Sequence, residues 1–276
     1  MAEYILELKG ITKTFPGVKA LDHVHFRLRL GEIHALMGEN GAGKSTFIKM
    51  ITGVYQPDEG QIILDGKEVR FNGPTDATAC GIAAIYQHVT CFPDLTVTEN
   101  IFMGHETIKK GTRRIDWKDM HARAQSLLDQ LGADFDARDE MGSLSVAQQQ
   151  IVEIAKALST DARIIIMDEP TAALTVRESE QLYAITEQLR DQGVSIIFIS
   201  HRFEDMYRLA SNVTVFRDGK YIGTWGVREI RNEDLIVAMV GREVTELFPK
   251  KEAAIGEEVL RLEGLGRRGY FADINF

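Results

Sequence analysis

Residues Gly38-Glu39-Asn40-Gly41-Ala42-Gly43-Lys44-Ser45 constrain this chain more than any other stretch. They fit GxxxxGK[ST], follow the apolar strand-like run Ile33 to Met37, and lead into the helix-prone Thr46-Phe47-Ile48-Lys49-Met50. Strand, glycine loop and helix in that order make a phosphate cradle. Glycines let consecutive backbone N–H groups turn toward one anion without a Cβ in the way, and the helix start adds the positive end of its dipole. Lys44 is placed to reach terminal phosphates and the Ser45 hydroxyl to ligate Mg2+, so Gly38, Glu39, Asn40, Gly41, Ala42, Gly43, Lys44, Ser45 and Thr46 are the expected phosphate-binding residues.

Kinases, GTPases, helicases and transporters all use such a P-loop, and its companions decide among them. Arg163-Ile164-Ile165-Ile166-Met167 is a continuous apolar run of the kind that fills a buried parallel strand, and it ends in two carboxylates, Asp168-Glu169, before Pro170. Carboxylates at a strand's C-terminal end face the ligand crevice. Period-two alternation aims the two side chains differently, which suits Asp168 to hold Mg2+ through its water shell and Glu169 to point at an attacking water. The bland alternative is a strand that stops where charge begins.

Before that strand, Leu144-Ser145-Val146-Ala147-Gln148 precedes Gln149-Gln150-Ile151-Val152-Glu153-Ile154-Ala155-Lys156-Ala157-Leu158, whose apolar residues recur at helical spacing with Ser145 as N-cap. Alone this is only a helix start. With its neighbours it resembles the LSGGQ signature of ATP-binding-cassette (ABC) ATPases, because other motifs of that family follow in the family's order. Phe15 stands where these proteins stack an aromatic on adenine. Gln87 ends the strand-like Gly81 to Tyr86 as the Q-loop, and His201 follows Val194 to Ser200 as the switch histidine. In isolation Phe15 reads as core packing, Gln87 as a surface amide and His201 as a satisfied histidine at a strand end.

The resemblance implies an α/β P-loop NTPase cassette: a RecA-like core with an antiparallel β subdomain and an α-helical subdomain. It implies ATP and Mg2+ as ligands, Glu169, His201 and Gln87 as catalytic residues, and Ser45, Gln87 and Asp168 around the metal. Leu144 to Gln148 would contact the ATP of an opposing cassette. Two positions depart from the pattern. Ala147 replaces the signature's second glycine, which matters only if φ > 0 or a close phosphate approach is required. Thr175 stands in Ala172-Ala173-Leu174-Thr175 where an aspartate is common, removing a carboxylate from the inter-cassette contact.

The 276 residues, 44% hydrophobic, suffice for a substantial core, and the net charge of −9 disfavours nonspecific attraction to DNA or anionic lipid. Met1-Ala2-Glu3-Tyr4-Ile5-Leu6-Glu7-Leu8-Lys9 has acidic residues where a signal peptide needs a basic start and an apolar run, so no secretion signal is expected; no apolar stretch approaches a membrane span, and the two cysteines, Cys80 and Cys91, imply no disulfide framework. His23 and His25 share no Cys or carboxylate cluster and read as structural. Strand-like alternation covers Tyr4 to Leu8 and Val24 to Leu30, with Asp65-Gly66 as a hairpin turn before Lys67 to Phe71. A helical subdomain is expected at about 90–158, where Met120, Ala124, Leu127, Leu128 and Leu131 line one face between an Asp116 cap and a Gly132 stop. A helix from Arg177 to Leu189, another Asp-Gly turn between Asn212 to Phe216 and Lys220 to Thr224, and a closing helix within Glu229 to Val240 complete a first cassette at 1–241.

Residues 242–257 read as a linker. Glu258-Val259-Leu260-Arg261-Leu262-Glu263-Gly264-Leu265 then repeats the apolar pattern of Tyr4-Ile5-Leu6-Glu7-Leu8-Lys9-Gly10-Ile11. Phe271-Ala272-Asp273-Ile274-Asn275-Phe276 echoes Leu21-Asp22-His23-Val24-His25-Phe26, as one repeat with a short deletion. Residues 258–276 are thus expected to start a second, truncated cassette.

A tandem cassette with a short linker resembles the ATP-binding subunits of bacterial monosaccharide importers for ribose, xylose, arabinose or galactose. Met239-Val240-Gly241-Arg242 and Leu247-Phe248-Pro249 carry the same likeness. Such a subunit lies peripherally on the cytoplasmic face of the inner membrane. Its partners are permease subunits, a periplasmic sugar-binding protein in the same system and a second cassette, with no nucleic acid. The segment after Gln87, with His88, Phe92, Pro93 and Leu95, is expected to dock a cytoplasmic helix of the permease. Two other classes compete. A nontransport ABC ATPase would need a long coiled coil between P-loop and signature, or a long charged linker, and the spacing leaves no room for the first. A noncatalytic nucleotide switch would rest on Ala147 and Thr175.

Overall fold

The computed structural model describes residues 3–87, 90–241, 258 and 260–276. The chain divides into two compact units, Met1–Glu243 and Val244–Phe276. The expected linker at 242–257, the wording at Arg242 and Leu247-Phe248-Pro249, and His88 lie outside the described residues.

In the first unit, β3 (Ile33–Met37), β7 (Ile164–Asp168) and β8 (Ser195–Ile199) are apolar along nearly their whole length and are buried on both faces. Buried-both-sides strands belong in a parallel sheet covered by helices. They pair in the order β3-β8-β7, extended on one side by β9 (Asn212–Arg217) and on the other by β6 (Ile82–Ile85), all parallel. Alternation divides their side chains between two cores. Ile165, Met167, Ile196 and Phe198 pack with the helices α3 (Val97–Phe102), α4 (Trp117–Gln130), α5 (Val146–Ser159) and α6 (Val176–Asp191). Ile164, Ile166, Ile197 and Ile199 share a core with α1 (Lys44–Ile51), α2 (Pro74–Ala79) and the antiparallel strands.

The antiparallel arm is β1 (Tyr4–Phe15) and β2 (Val18–Arg29) with β4 (Glu59–Leu64) and β5 (Lys67–Val69). It joins the parallel core through β10 (Lys220–Gly226), which pairs antiparallel with β9 and touches β2 at Lys220↔Asp22. Phe26, Phe47 and Phe216 stack edge to face, with centroids 5.0 and 5.2 Å apart, and fasten arm, α1 and core together. The expected strands at Tyr4 to Leu8 and Val24 to Leu30 are both longer. Gly10 and His23 adopt φ of 63° and 50°, a bulge that breaks the alternation without ending the pairing.

The helical segment forms as its caps predict. Asp116 accepts from the Asp119 N–H at the start of α4, whose Met120, Ala124 and Leu128 are buried. Ser145 and Gln148 close a capping box on α5, and Thr96 with Glu99 does the same on α3. The chain then runs through α7 (Phe203–Leu209) and closes with α8 (Asn232–Val240). No helix among the described residues is long and apolar enough to cross a membrane.

In the second unit, β11 (Leu265–Arg267) pairs antiparallel with β12 (Phe271–Ile274), and Leu262 and Phe276 exchange backbone hydrogen bonds of 2.7 and 3.1 Å beyond them.

Candidate functional site

Sheet register brings the predicted residues to one edge. Leu36 aligns with Ile199, Ile199 with Asp168, and Met167 with Ile85, so the P-loop, His201, Glu169 and Gln87 all leave neighbouring strands at their carboxyl ends. Such an edge is where open α/β sheets bind ligands. The glycines of the loop are required by geometry. At Gly38, φ is 154° and a Cβ would fall 2.3 Å from the Phe216 carbonyl oxygen. At Gly43, φ is 100° and a Cβ would fall 2.7 Å from that of Ala20. Lys44, only 9% exposed, donates to the carbonyls of Gly38 at 2.7 Å and Glu39 at 3.1 Å, which holds its ammonium inside the loop's curve. Burial lowers its pKa, opposed by the charges of Glu169 and Asp168. Ser45 is exposed on the first turn of α1 beside half-buried Thr46, and Glu39, Asn40 and Gly41 are exposed while Ala42 is buried. The β1–β2 hairpin reaches the loop at Ala20, and Phe15 ends β1, half-buried with its ring edge-on to Tyr55 at 5.2 Å.

Glu169 sits at the centre. Its Oε2 accepts from Gln87 Nε2 at 2.9 Å and its Oε1 lies 3.2 Å from His201 Nδ1. Simple strand alternation does not produce this aim. Glu169 lies just beyond β7 with φ of 50°, a left-handed kink costing about 1–2 kcal/mol, and its N–H donates to the Ile199 carbonyl at 2.8 Å. Strain of this kind persists only where the surroundings over-determine it. Asp168, half-buried, has its carboxyl pushed above the ordinary range by burial and then by the Glu169 charge, against the pull of Lys44.

The signature residues stand apart from this cluster. Ser145 Oγ accepts from the Gln148 N–H and Gln148 Oε1 from the Ser145 N–H, while Gln148 Nε2 donates to Asp134 Oδ1 at 3.0 Å. Leu144 is buried, whereas Ser145 and Val146 are exposed. Ala147 lies in α5 and is not among the residues with positive φ, so its methyl strains nothing in the backbone. Thr175, one of the residue types that such a position prefers, is the N-cap of α6 in a capping box with Glu178.

A cavity of about 700 Å3 lies elsewhere, between the splayed β2 and β10, lined by Arg27, Glu32, His34, Tyr221 and Trp225 among others. None of the predicted residues lines it. Its buried acid, Glu32, is already matched by His34, Asn212 and the Arg29 N–H, so volume without an unpaired group makes no site there. Sequence reasoning did not single out Asp205, which is buried and accepts from Thr171 and Ser200. Its only sequence signal is an acid in the first turn of the helix after His201.

Residues 21–172 match the family model described as ABC transporter. A putative ribose/galactose/methyl galactoside import ATP-binding protein of Agrobacterium fabrum is 48% identical over 100% of this chain and 53% of its own length. A ribose import ATP-binding protein of Roseobacter denitrificans is 49% identical over 99% of this chain, again 53% of its own length. The chain thus spans about half the length of these relatives. Among solved structures, the ADP conformation of an ATP-binding cassette of an ABC transporter superposes with a TM-score of 0.76 at 27% identity, covering 87% of this chain and 100% of that one. A nucleotide-free cassette superposes at 0.74 and 26%, covering 87% and 96%. The chain belongs to the ABC transporter family, and its first unit has the fold of that family's ATP-binding cassette.

Proposed function

We propose that this chain is the ATP-hydrolysing part of a monosaccharide importer, the first of two tandem cassettes in a longer polypeptide. The observation that carries the reading is Glu169, poised between Gln87 and His201 at the end of β7 and close enough for its charge to act on Lys44. The P-loop amides from Gly38 to Thr46 bind the phosphates, Lys44 neutralises them, and Phe15 stacks on adenine. Ser45, Gln87 and Asp168 offer only oxygen donors toward a metal, which suits Mg2+, and Asp168 is a carboxylate short of positive charge. Mg2+ bound there supplies charge neutralisation for phosphoryl transfer. Glu169 orients the attacking water and accepts its proton, while Gln87 and His201 hold the carboxylate. The exposed Ser145 and the start of α5 face the nucleotide of an opposing cassette, which explains why the signature stands apart from its own P-loop.

The import role comes from the relatives' names and from the family. It brings separate permease subunits, a periplasmic sugar-binding protein and a peripheral position on the cytoplasmic face. Phe92, exposed, and Leu95, half-buried, fit a permease-docking segment after Gln87. The tail hairpin supports the tandem arrangement, since its pairing repeats that of β1–β2.

Glu169→Gln should retain MgATP binding while turnover falls ~10²-fold or more, as for loss of a general base, and Lys44→Ala should abolish binding. Wild-type turnover in the first variant, or unchanged affinity in the second, overturns the reading.

A further inference from the structure

Asp205 has no exposed surface and takes no part in the roles assigned above. A carboxylate in that position is tolerated only when its lone pairs are matched. Its Oδ2 accepts from Thr171 Oγ1 at 2.7 Å and from Ser200 Oγ at 2.6 Å. Its Oδ1 accepts from the Tyr183 hydroxyl and lies 4.0 Å from Arg202 Nε. Three hydroxyls therefore converge on its two oxygens. Thr171 and Ser200 are themselves buried.

The two hydroxyls on Oδ2 come from the two loops that matter. Thr171 is separated from Glu169 only by Pro170, and Ser200 directly precedes His201. The left-handed Glu169 is pinned on one side by its N–H bond to Ile199. On the other side the chain is fixed through Thr171 to the same oxygen that fixes the His201 loop. Arg202 N–H donates to Ser200 Oγ at 2.9 Å, so that hydroxyl also closes the turn that presents the histidine.

We propose that Asp205 is a positioning residue for hydrolysis, holding the Glu169 and His201 loops in mutual register through Thr171 and Ser200. It does so without touching nucleotide. The proposal rests on the ATPase reading, and its test is built so that the two fail separately.

Steady-state turnover and the KM for MgATP are measured on the full-length chain in its membrane assembly. Asp205→Asn keeps the shape but replaces one acceptor oxygen with a donor. It should lower kcat about tenfold at constant KM, because displacing a water-orienting group costs rate and not ground-state binding. In a Thr171→Val/Ser200→Ala background the same substitution should change kcat less than about twofold, since residues acting through one network are not additive. Wild-type kcat in Asp205→Asn, additive losses in that cycle, or a fall in kcat matched by a rise in KM each overturns the clamp. If Asp205→Asn does not fold, Thr171→Val and Ser200→Ala carry the test singly. Each leaves the carboxylate bonded to Tyr183, each should lower kcat several-fold at constant KM, and wild-type kcat in both overturns the proposal. Glu169→Gln runs alongside: full turnover there overturns the ATPase reading itself, whatever Asp205 does.

Discussion

The hairpins β1–β2 and β11–β12 share their backbone and differ in everything that surrounds it. In the first, Leu8 pairs with Phe26 and Ile11 with Val24. In the second, Leu262 bonds to Phe276 and Leu265 pairs with Ile274, the same partners by the sequence repeat. Gly10 and Gly264 both turn left-handed, at φ of 63° and 60°, and His23 and Asp273 do so at 50° and 54°. The Gly10 N–H donates to His25 Nδ1 and the Gly264 N–H to Asn275 Oδ1, corresponding side chains of different chemistry. Yet Phe26 is 1% exposed and Phe276 72%. Local turn and bulge chemistry is therefore enough to define the register of such a hairpin. Its stability comes from what covers it, since an isolated two-stranded hairpin is marginal in water.

The largest expected effect tests that division. Phe26→Ala opens a cavity against Phe47 and His34 and should destabilise the first unit by ~3–5 kcal/mol in denaturant unfolding. Phe276→Ala in the same chain should cost less than ~0.5 kcal/mol, as for a surface site. In a chain continued through a complete second cassette, Phe276→Ala should become as costly as Phe26→Ala. Equal costs in the present chain, or none in the longer one, break the comparison.

What the sequence made legible follows the same line. The P-loop, the ends of β7 and β8, the Asp116 and Ser145 caps and the Asp-Gly turns were readable because each depends on a few adjacent residues. The lengths of β1 and β2 were not, because the bulge at Gly10 and His23 interrupts period-two alternation while long-range pairing continues through it. The aim of Glu169 was not readable either, since glutamate has no preference for the left-handed region and is held there by Ile199 from another strand. Asp205 escaped for a related reason: its significance lies in which two loops donate to it, a property of the fold and of no motif.

The next effect is on catalysis. If the second hairpin begins a cassette whose P-loop and signature complete a composite site, the present chain as a dilute monomer should turn over ATP ~10²-fold more slowly than the complete assembly. That is the typical loss when preorganised transition-state donors are missing. Turnover should rise with protein concentration as copies of the first unit substitute for the missing partner. A concentration-independent rate equal to that of the assembly would separate the tail hairpin from any role in a composite site.

The smallest effect bears on the repeat itself. Among the described residues no atom beyond the adjoining ones lies within 4 Å of a Cβ built at Gly10 or Gly264, so alanine at either position meets mainly backbone strain. The left-handed region costs a non-glycine residue about 1–2 kcal/mol, less for asparagine, whose side chain bonds locally. Gly10→Ala should therefore destabilise the first unit by about 1 kcal/mol in denaturant unfolding, and Gly10→Asn by less. Gly264→Ala will not register in global unfolding, because the second unit has little packing to lose. It should instead lower the amide-exchange protection of the Leu262 and Phe276 N–H groups about fivefold, the equivalent of roughly 1 kcal/mol, with Gly264→Asn restoring most of it. If Gly264→Ala leaves those two amides as protected as before while Gly10→Ala costs the expected amount, the tail does not use the bulge of β1–β2. The matching φ values would then be coincidence, and the case for a second cassette would fall back on apolar spacing alone.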